Sequence, residues 1–190
     1  MVGAILTQNT AWNNAASALA SLRAAGKLDA GWISRAAPEA IGRLIRSSGF
    51  FRQKARRLRD FSRYILQAHP EGLKKWFSSS APETLRAELL ELNGIGPETA
   101  DSMILYAGQK PKFVVDAYTA RIFGRVGLLT GGYEDMQAAF ELALPRDHSV
   151  YNEYHALIVA LGKDHCRKTA PRCAKCPLRN VCRRGKTEIS

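Results

Sequence analysis

The sequence has 190 residues, of which 46% are hydrophobic and 24% charged, and this fits one globular domain or one domain with a small appendage. No apolar run approaches the roughly 20 residues of a membrane span, and Met1–Asn13 lack the charged start and long apolar stretch of a signal peptide, so we expect a cytoplasmic protein. The net charge of +11 favours nucleic acid as the partner, with added solubility as the alternative explanation, and the spread of basic residues over the whole chain disfavours a membrane surface.

Helical patterns occupy almost the whole chain. Ser80–Glu83 (SAPE) combines the spacing of a capping box with a proline in the first turn, which predicts a helix start. After a break at Asn93–Gly96, Pro97 opens the next helix. The strand-like run Phe113–Val115 is too short to found a sheet, so the sequence predicts an all-α fold. The other helical patterns are Ile41–Ile45, Leu58–Ile65, Ala117–Val126, Tyr133–Leu142 and Val150–Leu161.

The segment Leu92–Ala100 has the pattern of a helix, a glycine turn and a second helix. Gly94 and Gly96 allow a close approach of the backbone to a ligand and a positive φ. The following helix offers unpaired N–H groups and the positive end of its dipole. These features predict a phosphate-binding turn that reads no base sequence, with a turn that binds no ligand as the alternative.

All four cysteines lie within seventeen residues in the spacing C-x6-C-x2-C-x5-C. Two disulfides are disfavoured in a cytoplasmic chain. Four thiolates at short spacing suit a metal centre, and both zinc and a four-iron cluster accept four cysteines. The cysteine spacing alone favours zinc over a four-iron cluster. The stretch Cys166–Gly185 is poor in large apolar residues and cannot form an apolar core of its own. A metal centre would therefore have to stabilise the conformation of this stretch. The candidate ligands are Cys166, Cys173, Cys176 and Cys182.

Three features together resemble the endonuclease III superfamily of helix–hairpin–helix DNA glycosylases. They are the cysteine run with Pro171 and Pro177, the glycine hairpin, and a V-D-x-x-x-x-R segment whose aspartate, Asp116, comes twenty residues after Gly96. The pattern around Asp116 alone favours a helix N-cap, whereas the resemblance implies that it is the catalytic carboxylate. The resemblance also implies a [4Fe–4S] cluster rather than zinc. It assigns DNA binding to Gly94, Gly96, Thr99 and Arg121.

Two further segments resemble DNA-contacting loops of the same superfamily. Gly3–Thr10 resembles the helix and loop whose glutamine fills the gap left by a flipped base, which points to Gln8. Gly49–Ala55 resembles the loop that wedges an apolar side chain into the opposite strand, which points to Phe50. The alternatives are a capping or buried amide for Gln8 and core packing for Phe50. The cluster loop would present its basic residues to phosphates, or leave them solvated; these are Arg167, Lys168, Arg172, Lys175 and Arg179.

The sequence departs from the bifunctional members at Glu98, which stands where their hairpin lysine forms a Schiff base with the sugar. A carboxylate cannot form that imine, so we expect a monofunctional enzyme that uses water. The residues around Glu98 and Asp116 resemble the 3-methyladenine DNA glycosylase branch, which removes alkylated purines. An adenine-mismatch enzyme is disfavoured because Gly3 lies in the stretch where that branch needs a glutamate. Glu98 could also be an exposed charge of the first helical turn.

Three alternatives for the function stay open from the sequence. The first is a bifunctional glycosylase with another amine, for which Lys54, Lys110 and Lys112 are candidates. The second is a thymine or uracil mismatch glycosylase. The third is a DNA-binding iron–sulfur protein without enzymatic activity.

The resemblance implies two all-α lobes with a DNA cleft between them and Asp116 at the junction. One lobe covers residues 15–106 and includes the hairpin unit at about 85–107. The other combines residues 1–14 with 107–190 and carries the cluster loop 166–182. Family members have one more helix before the segment that matches Met1–Thr10, so we expect a sequence truncated at its start. We further expect a monomer associated with the nucleoid.

Overall fold

The computed structural model describes residues 1–128 and 131–187, and these form α-helices without a β-strand, as the sequence predicts. Among the described helices, none combines the length and apolar character that a bilayer crossing requires. Two 3-10 turns, Arg46–Ser48 and Cys173–Lys175, and a π-helical segment, Met103–Ala107, add to the regular structure. The α-helices are α1 Val2–Thr7, α2 Trp12–Ala24, α3 Ala30–Arg35, α4 Pro38–Leu44, α5 Phe51–Ala68, α6 Leu73–Ser79, α7 Pro82–Leu90, α8 Pro97–Ser102, α9 Ala117–Val126, α10 Tyr133–Ala143, α11 His148–Asp164 and α12 Arg183–Thr187.

The chain divides into two compact units, Met1–Met103 and Ile104–Ser190. The boundary that the sequence predicted near residue 106 lies close to this division. Residues 1–14, however, belong to the first unit, whereas the sequence placed them with the second. The reason is that α1, whose Ile5 and Leu6 are fully buried, packs against α2 and α5 within the first unit.

The first unit is organised around α5, which packs against α3 and α4. Its buried residues Ala55, Leu58, Phe61 and Ile65 recur at helical spacing and form one apolar stripe. Burial of each large side chain contributes about 1.5–3 kcal/mol to the free energy of folding. The stripe faces the core of the unit, and the solvent-facing side of α5 carries mainly charged and polar residues together with the exposed Leu66.

Prolines fix where α7 and α8 begin. Both helices have a proline in the first turn, Pro82 and Pro97, because the ring presets φ and the missing N–H has no intrahelical acceptor there. The N-cap of α7 is Ala81, with no side-chain cap. The predicted capping box of Ser80 and Glu83 is therefore not formed, since a helix that starts at Pro82 leaves Ser80 one residue too early to cap it.

The core of the second unit contains the extended segment Phe113–Val115, which is buried. The backbone N–H of Phe113 donates to Oε1 of Glu141 at 2.9 Å, and its carbonyl accepts from Nε2 of Gln137 at 2.5 Å. Side chains of α10 thus satisfy the backbone groups that a neighbouring strand would otherwise satisfy. The ring of Phe113 stacks on Phe140 at 4.1 Å. An apolar strand-like run therefore enters the core without forming a sheet.

Candidate functional site

Gln8 lies at the end of α1, and its side-chain amide is bonded to the glycine hairpin of the first unit. Its Nε2 donates to the carbonyl oxygen of Gly94 at 2.8 Å and to Oγ1 of Thr99 at 2.9 Å. Its Oε1 accepts from Nη1 of Arg57 at 2.6 Å. The Gln8 amide is therefore hydrogen-bonded within the protein, which is the alternative that the sequence left open. It joins the end of α1 to the hairpin, two segments that the resemblance assigns separately to DNA binding.

The two hairpin glycines differ in what their positions require. Gly94 has a φ of +82°, and a Cβ atom there would lie 2.3 Å from Nε of Arg57. Gly96, the N-cap of α8, has a φ of −96° and open space where a Cβ would stand. The positive φ that the sequence predicted for this pair is therefore found at Gly94 and is absent at Gly96. Only the first position needs glycine for both conformation and space.

The residues that follow the hairpin face different surroundings. Glu98 is exposed in the first turn of α8, where the helix dipole favours a negative charge. Thr99 is buried, and its hydroxyl oxygen accepts from Gln8. The side chain of Thr99 therefore holds the hairpin to α1.

Phe50 is 65% exposed at the start of α5. Its backbone is left-handed, with a φ of +46°, and it follows Gly49 with a φ of +63°. This conformation is unusual for a bulky residue and is kept only where the surroundings hold it. The core-packing alternative does not describe this ring, which is presented to solvent.

A buried lysine connects the segments that carry Gln8 and Phe50. Lys54 is 1% exposed, and its Nζ donates to the carbonyl oxygens of Leu6 at 2.8 Å and Ser48 at 2.6 Å. Burial, with a smaller contribution from the charge of a nearby arginine, lowers the pKa of Lys54 to about 8. Each acceptor lies two residues before a predicted DNA-contacting residue, so a single ammonium group holds both segments.

In the second unit, the two oxygens of the Asp116 carboxylate have different surroundings. Asp116 is the N-cap of α9, and its Oδ1 accepts from the backbone N–H of Thr119 at 2.8 Å and from the Thr119 hydroxyl at 2.9 Å. Its Oδ2 lies 3.6 Å from Nε2 of His155 in α11, which is within ion-pair range but too long for a hydrogen bond. Burial raises the pKa of Asp116, but the contacts with His155 and Thr119 outweigh it and hold the pKa below its usual value. The capping role therefore occupies one oxygen and leaves the other outside the cap.

His155 also contacts Tyr106, which lies in the π-helical segment. The distance between Nδ1 of His155 and the Tyr106 hydroxyl oxygen is 2.5 Å, and the two rings meet edge to face. Desolvation, followed by the charge of Asp116, raises the pKa of Tyr106 to about 12. The phenol is therefore protonated at neutral pH and can donate to the imidazole.

The four cysteines form no disulfide and line one cavity of the second unit, together with Arg125 and Arg179. Among the described residues, no three His, Cys, Asp or Glu side chains converge closely enough to hold a single metal ion. Four cysteines are a donor set that both zinc and a four-iron cluster accept. Nη1 of Arg125 lies 3.4 Å from Sγ of Cys166, where its positive charge would offset the negative charge of a thiolate-ligated metal centre. The four sulfur donors and the adjacent cation thus fit a thiolate-bound metal centre.

Two arginines of α9 hold the first residues of the cluster loop. Nε of Arg121 donates to the carbonyl of Cys166 at 2.8 Å, and Nη1 of Arg125 donates to the carbonyl of Arg167 at 2.6 Å. Arg121, which the resemblance assigns to DNA binding, is thus bonded to loop backbone here. Of the loop's basic residues, Lys168, Arg172 and Lys175 are exposed, whereas Arg167 and Arg179 are partly buried.

The sequence reasoning did not identify Tyr106, Arg125 or His155 as parts of these sites, and it considered Lys54 only as an alternative catalytic amine. Lys54 lies beside the apolar stripe of α5, and a polar residue in that register could have been predicted to be buried. Arg125 follows Arg121 by four residues and lies on the same helical face, so this spacing could also have identified Arg125 from the sequence. Tyr106 and His155 lie in different elements, and no local pattern links them.

Comparisons with known proteins agree on the family. The family described as "HhH-GPD superfamily base excision DNA repair protein" matches residues 2–146. The protein "Putative DNA repair glycosylase MJ1434" of Methanocaldococcus jannaschii is 41% identical over 184 residues, which cover 96% of this chain and 83% of that protein. The crystal structure of H. pylori 3-methyladenine DNA glycosylase (MagIII) bound to 1,N6-ethenoadenine is similar with a TM-score of 0.76 and 28% identity, over 85% of this chain and 82% of that one.

The fold is also that of endonuclease III. The structure of a trapped endonuclease III–DNA covalent intermediate is similar with a TM-score of 0.83, over 100% of this chain and 84% of that one, at 21% identity. The resemblance found in the sequence and the all-α fold are thus confirmed. The chain belongs to the HhH-GPD superfamily of base excision repair DNA glycosylases.

Proposed function

We propose that the protein is a monofunctional DNA glycosylase that removes alkylated purines by hydrolysis, with Asp116 as its catalytic carboxylate. The observation that carries the proposal is the Oδ2 oxygen of Asp116, which stays outside the helix cap on a carboxylate whose pKa is held low. A fixed negative charge in a partly buried position stabilises the oxocarbenium-like sugar more strongly than a charge in bulk water. The likeness to a 3-methyladenine DNA glycosylase favours alkylated purines as the substrate class.

The proposed reaction is hydrolysis of the bond between the base and C1′ of the sugar. The target nucleotide first leaves the base stack. The C1′–N bond then breaks, and its electron pair goes to the base, which leaves as a neutral molecule because the alkylated purine carried a positive charge. A water molecule adds to C1′ and loses one proton, for which Asp116 is the acceptor.

The proposal that water is the nucleophile rests on the hairpin and on the other lysines. Glu98 cannot form an imine with the sugar. Nζ of Lys54 is buried and bonded to two carbonyl oxygens, and Nζ of Lys112 lies 3.1 Å from Glu141. These two substitutes for the missing amine are thus engaged in contacts of their own. We therefore propose that the enzyme leaves the abasic strand uncut.

We also propose that the first unit supplies the groups that enter the duplex. The exposed, left-handed Phe50 suits a wedge between base pairs, and Gln8 beside the hairpin suits the gap left by the flipped base. The backbone at Gly94 and Gly96 would contact a phosphate. Thr99 supports this surface indirectly, by holding the side chain of Gln8.

We further infer that the four cysteines hold a [4Fe–4S] cluster. The cysteine spacing with Pro171 and Pro177, which resembles the cluster loop of endonuclease III, supports this assignment over zinc. When bound, the cluster would supply four iron–thiolate links that fix the loop. The loop needs such links because few large apolar side chains hold it. Arg121 and Arg125 then fix the loop to α9 and leave Lys168, Arg172 and Lys175 exposed toward solvent and phosphates.

The affinity for duplex DNA is expected to fall steeply with salt. The net charge of +11 and the backbone-binding hairpin predict contacts mainly with phosphates, and each contact contributes on the order of one unit to the log–log slope of affinity against salt. Fluorescence anisotropy of a labelled duplex at several salt concentrations measures this slope. The variant Lys175→Ala should reduce it, whereas Lys27→Ala, a matched change in the first unit far from the loop in sequence, should leave it unchanged. A flat salt response would contradict the proposed interface.

Wild-type protein is expected to release alkylated bases and leave an intact abasic strand. Duplexes containing 3-methyladenine are incubated with the enzyme, and the strands are separated before and after heating in alkali. Breaks should be found only after alkali, and borohydride should trap no covalent complex, because the hairpin has Glu98 in place of an amine.

The same assay separates the other candidate functions. Strand breaks without alkali, together with a borohydride-trapped complex, would establish a bifunctional enzyme. Release of thymine or uracil from mismatches, but not of alkylated purines, would change the substrate class. Binding without release of any base would leave a non-enzymatic protein.

A further inference from the structure

We infer that Tyr106 and His155 act together as a positioning pair for Asp116: Tyr106 fixes the tautomer of His155, and the His155 N–H keeps Oδ2 of Asp116 in place and ionised. This positioning role rests on the proposed function, because it requires Asp116 to be the catalytic carboxylate. Neither residue is argued to touch the DNA. Both act through the carboxylate.

The geometry determines which way the protons are arranged. The Tyr106 hydroxyl lies 2.5 Å from Nδ1 of His155. Because Nε2 of His155 faces a carboxylate oxygen, which can only accept, Nδ1 is the ring nitrogen that accepts from the phenol. A neutral imidazole that accepts at Nδ1 carries its proton on Nε2. That Nε2 is buried, has no hydrogen-bond partner among the described residues, and faces Oδ2 of Asp116 at 3.6 Å. The proton on Nε2 is therefore directed at the carboxylate oxygen that the helix cap does not use.

The 3.6 Å gap is consistent with a positioning role. Hydrogen bonds of catalytic groups are often long in the free enzyme and shorten when charge develops during the reaction. The other oxygen is fixed by two bonds to Thr119, so the carboxylate can rotate little. A small movement of Asp116 or His155 would thus complete the bond. The titratable group that lowers the pKa of Asp116 is His155 from α11, and the charge of Asp116 in turn helps to raise the pKa of Tyr106 in the π-helical segment.

The π-helical segment Met103–Ala107 gives Tyr106 its position. A π-turn contains one residue more than an α-turn, and each residue of a helix is rotated by about 100° from the one before it. A regular α-helix through this segment would therefore turn a different side chain toward His155. Such π-turns are frequent at functional sites, and here the turn places a tyrosine hydroxyl next to the imidazole.

The test measures the pKa of Asp116 directly, so that it does not depend on an active enzyme. The ¹³Cγ resonance of Asp116 is followed against pH in wild-type protein, in His155→Leu and in Tyr106→Phe. His155→Leu keeps an apolar volume and removes the N–H, so the pKa of Asp116 should rise by about one unit. Tyr106→Phe should raise it less, and the imidazole ¹⁵N shifts should show that the proton is no longer confined to Nε2.

The kinetic part of the test uses single-turnover base release. His155→Leu should lower the rate about ten- to a hundredfold and move the acidic limb of the pH–rate profile upward with the pKa of Asp116. The matched control is Tyr154→Phe, which removes a hydroxyl from the residue next to His155 in α11. It should leave the pKa, the rate and the binding of an abasic duplex unchanged.

Two results would overturn the inference. One is an Asp116 pKa that is the same in wild-type protein, His155→Leu and Tyr106→Phe. The other is a reduced rate with an unmoved acidic limb, which would indicate a purely structural role. If His155→Leu does not fold, as judged by circular dichroism, Tyr106→Phe decides alone. Failure of the proposed function is a separate result, since it would show as wild-type base release by Asp116→Asn.

Discussion

Replacement of Asp116 by asparagine is expected to lower the rate of base excision at least about 10²- to 10³-fold, because the variant loses the negative charge that stabilises the sugar cation. Folding should survive. Asparagine is as good an N-cap as aspartate, and its amide oxygen can take over the bonds that Oδ1 accepts from Thr119. Single-turnover excision and circular dichroism measure the two effects, and the variant should still bind abasic DNA.

The matched control for this substitution is Asp147→Asn. Asp147 is the N-cap of α11 in the same unit, and its Oδ1 accepts from the backbone N–H groups of Ser149 and Val150. The two variants undergo the same chemical change at a helix N-cap, but Asp147 is exposed and does not face His155. Asp147→Asn should therefore excise bases at the wild-type rate. Wild-type excision by Asp116→Asn itself would remove the basis of the proposed mechanism.

Replacement of Cys173 by serine is expected to remove the cluster and with it the order of the cluster loop. A serine hydroxyl is a much poorer iron ligand than a thiolate, and metal binding at such a site contributes directly to folding. The variant should lose the visible absorbance of iron–thiolate charge transfer, contain less iron per chain, and be poorly soluble. Absorption spectroscopy and iron analysis of anaerobically purified protein measure this outcome.

Ala174→Ser provides the control for this change. Ala174 lies in the same 3-10 turn as Cys173 and is exposed, so the new hydroxyl meets solvent and all four thiols remain. This variant should keep wild-type absorbance and iron content. Stoichiometric zinc without iron in the wild-type protein would show that the centre is of a different kind.

Much of the fold could be predicted because its signals are local. Proline in the first turn determined the starts of α7 and α8, and the pattern Ala117–Val126 coincides with α9. The predictions that failed depended on surroundings. The predicted capping box at Ser80 is not formed, because α7 begins at Pro82 with Ala81 as its N-cap. Residues 1–14 were expected in the second unit but belong to the first, where α1 packs against α2 and against α5, which is distant in sequence.

In the candidate site, too, some residues could be predicted from short motifs, whereas others depend on tertiary contacts. The cysteine spacing, the glycine hairpin and Asp116 were visible because each is a short motif. Tyr106 and His155 were missed, since they meet only after the chain has folded and a π-turn shifts the register of its segment. The bonded states of Gln8 and Arg121 also depend on distant partners. Sequence motifs therefore predicted the groups that we propose to react and to ligate, but not the groups that hold them.

The buried Lys54 has a consequence for how the first unit moves. Its ammonium group is bonded both to Leu6, at the end of α1, and to Ser48, at the turn before Phe50. Neither segment can separate from it without leaving a buried charge and a buried carbonyl short of a partner, which costs several kcal/mol. The loops that carry Gln8 and Phe50 should therefore open and close as one kinetic unit, so that both side chains would reach or leave a duplex in the same event.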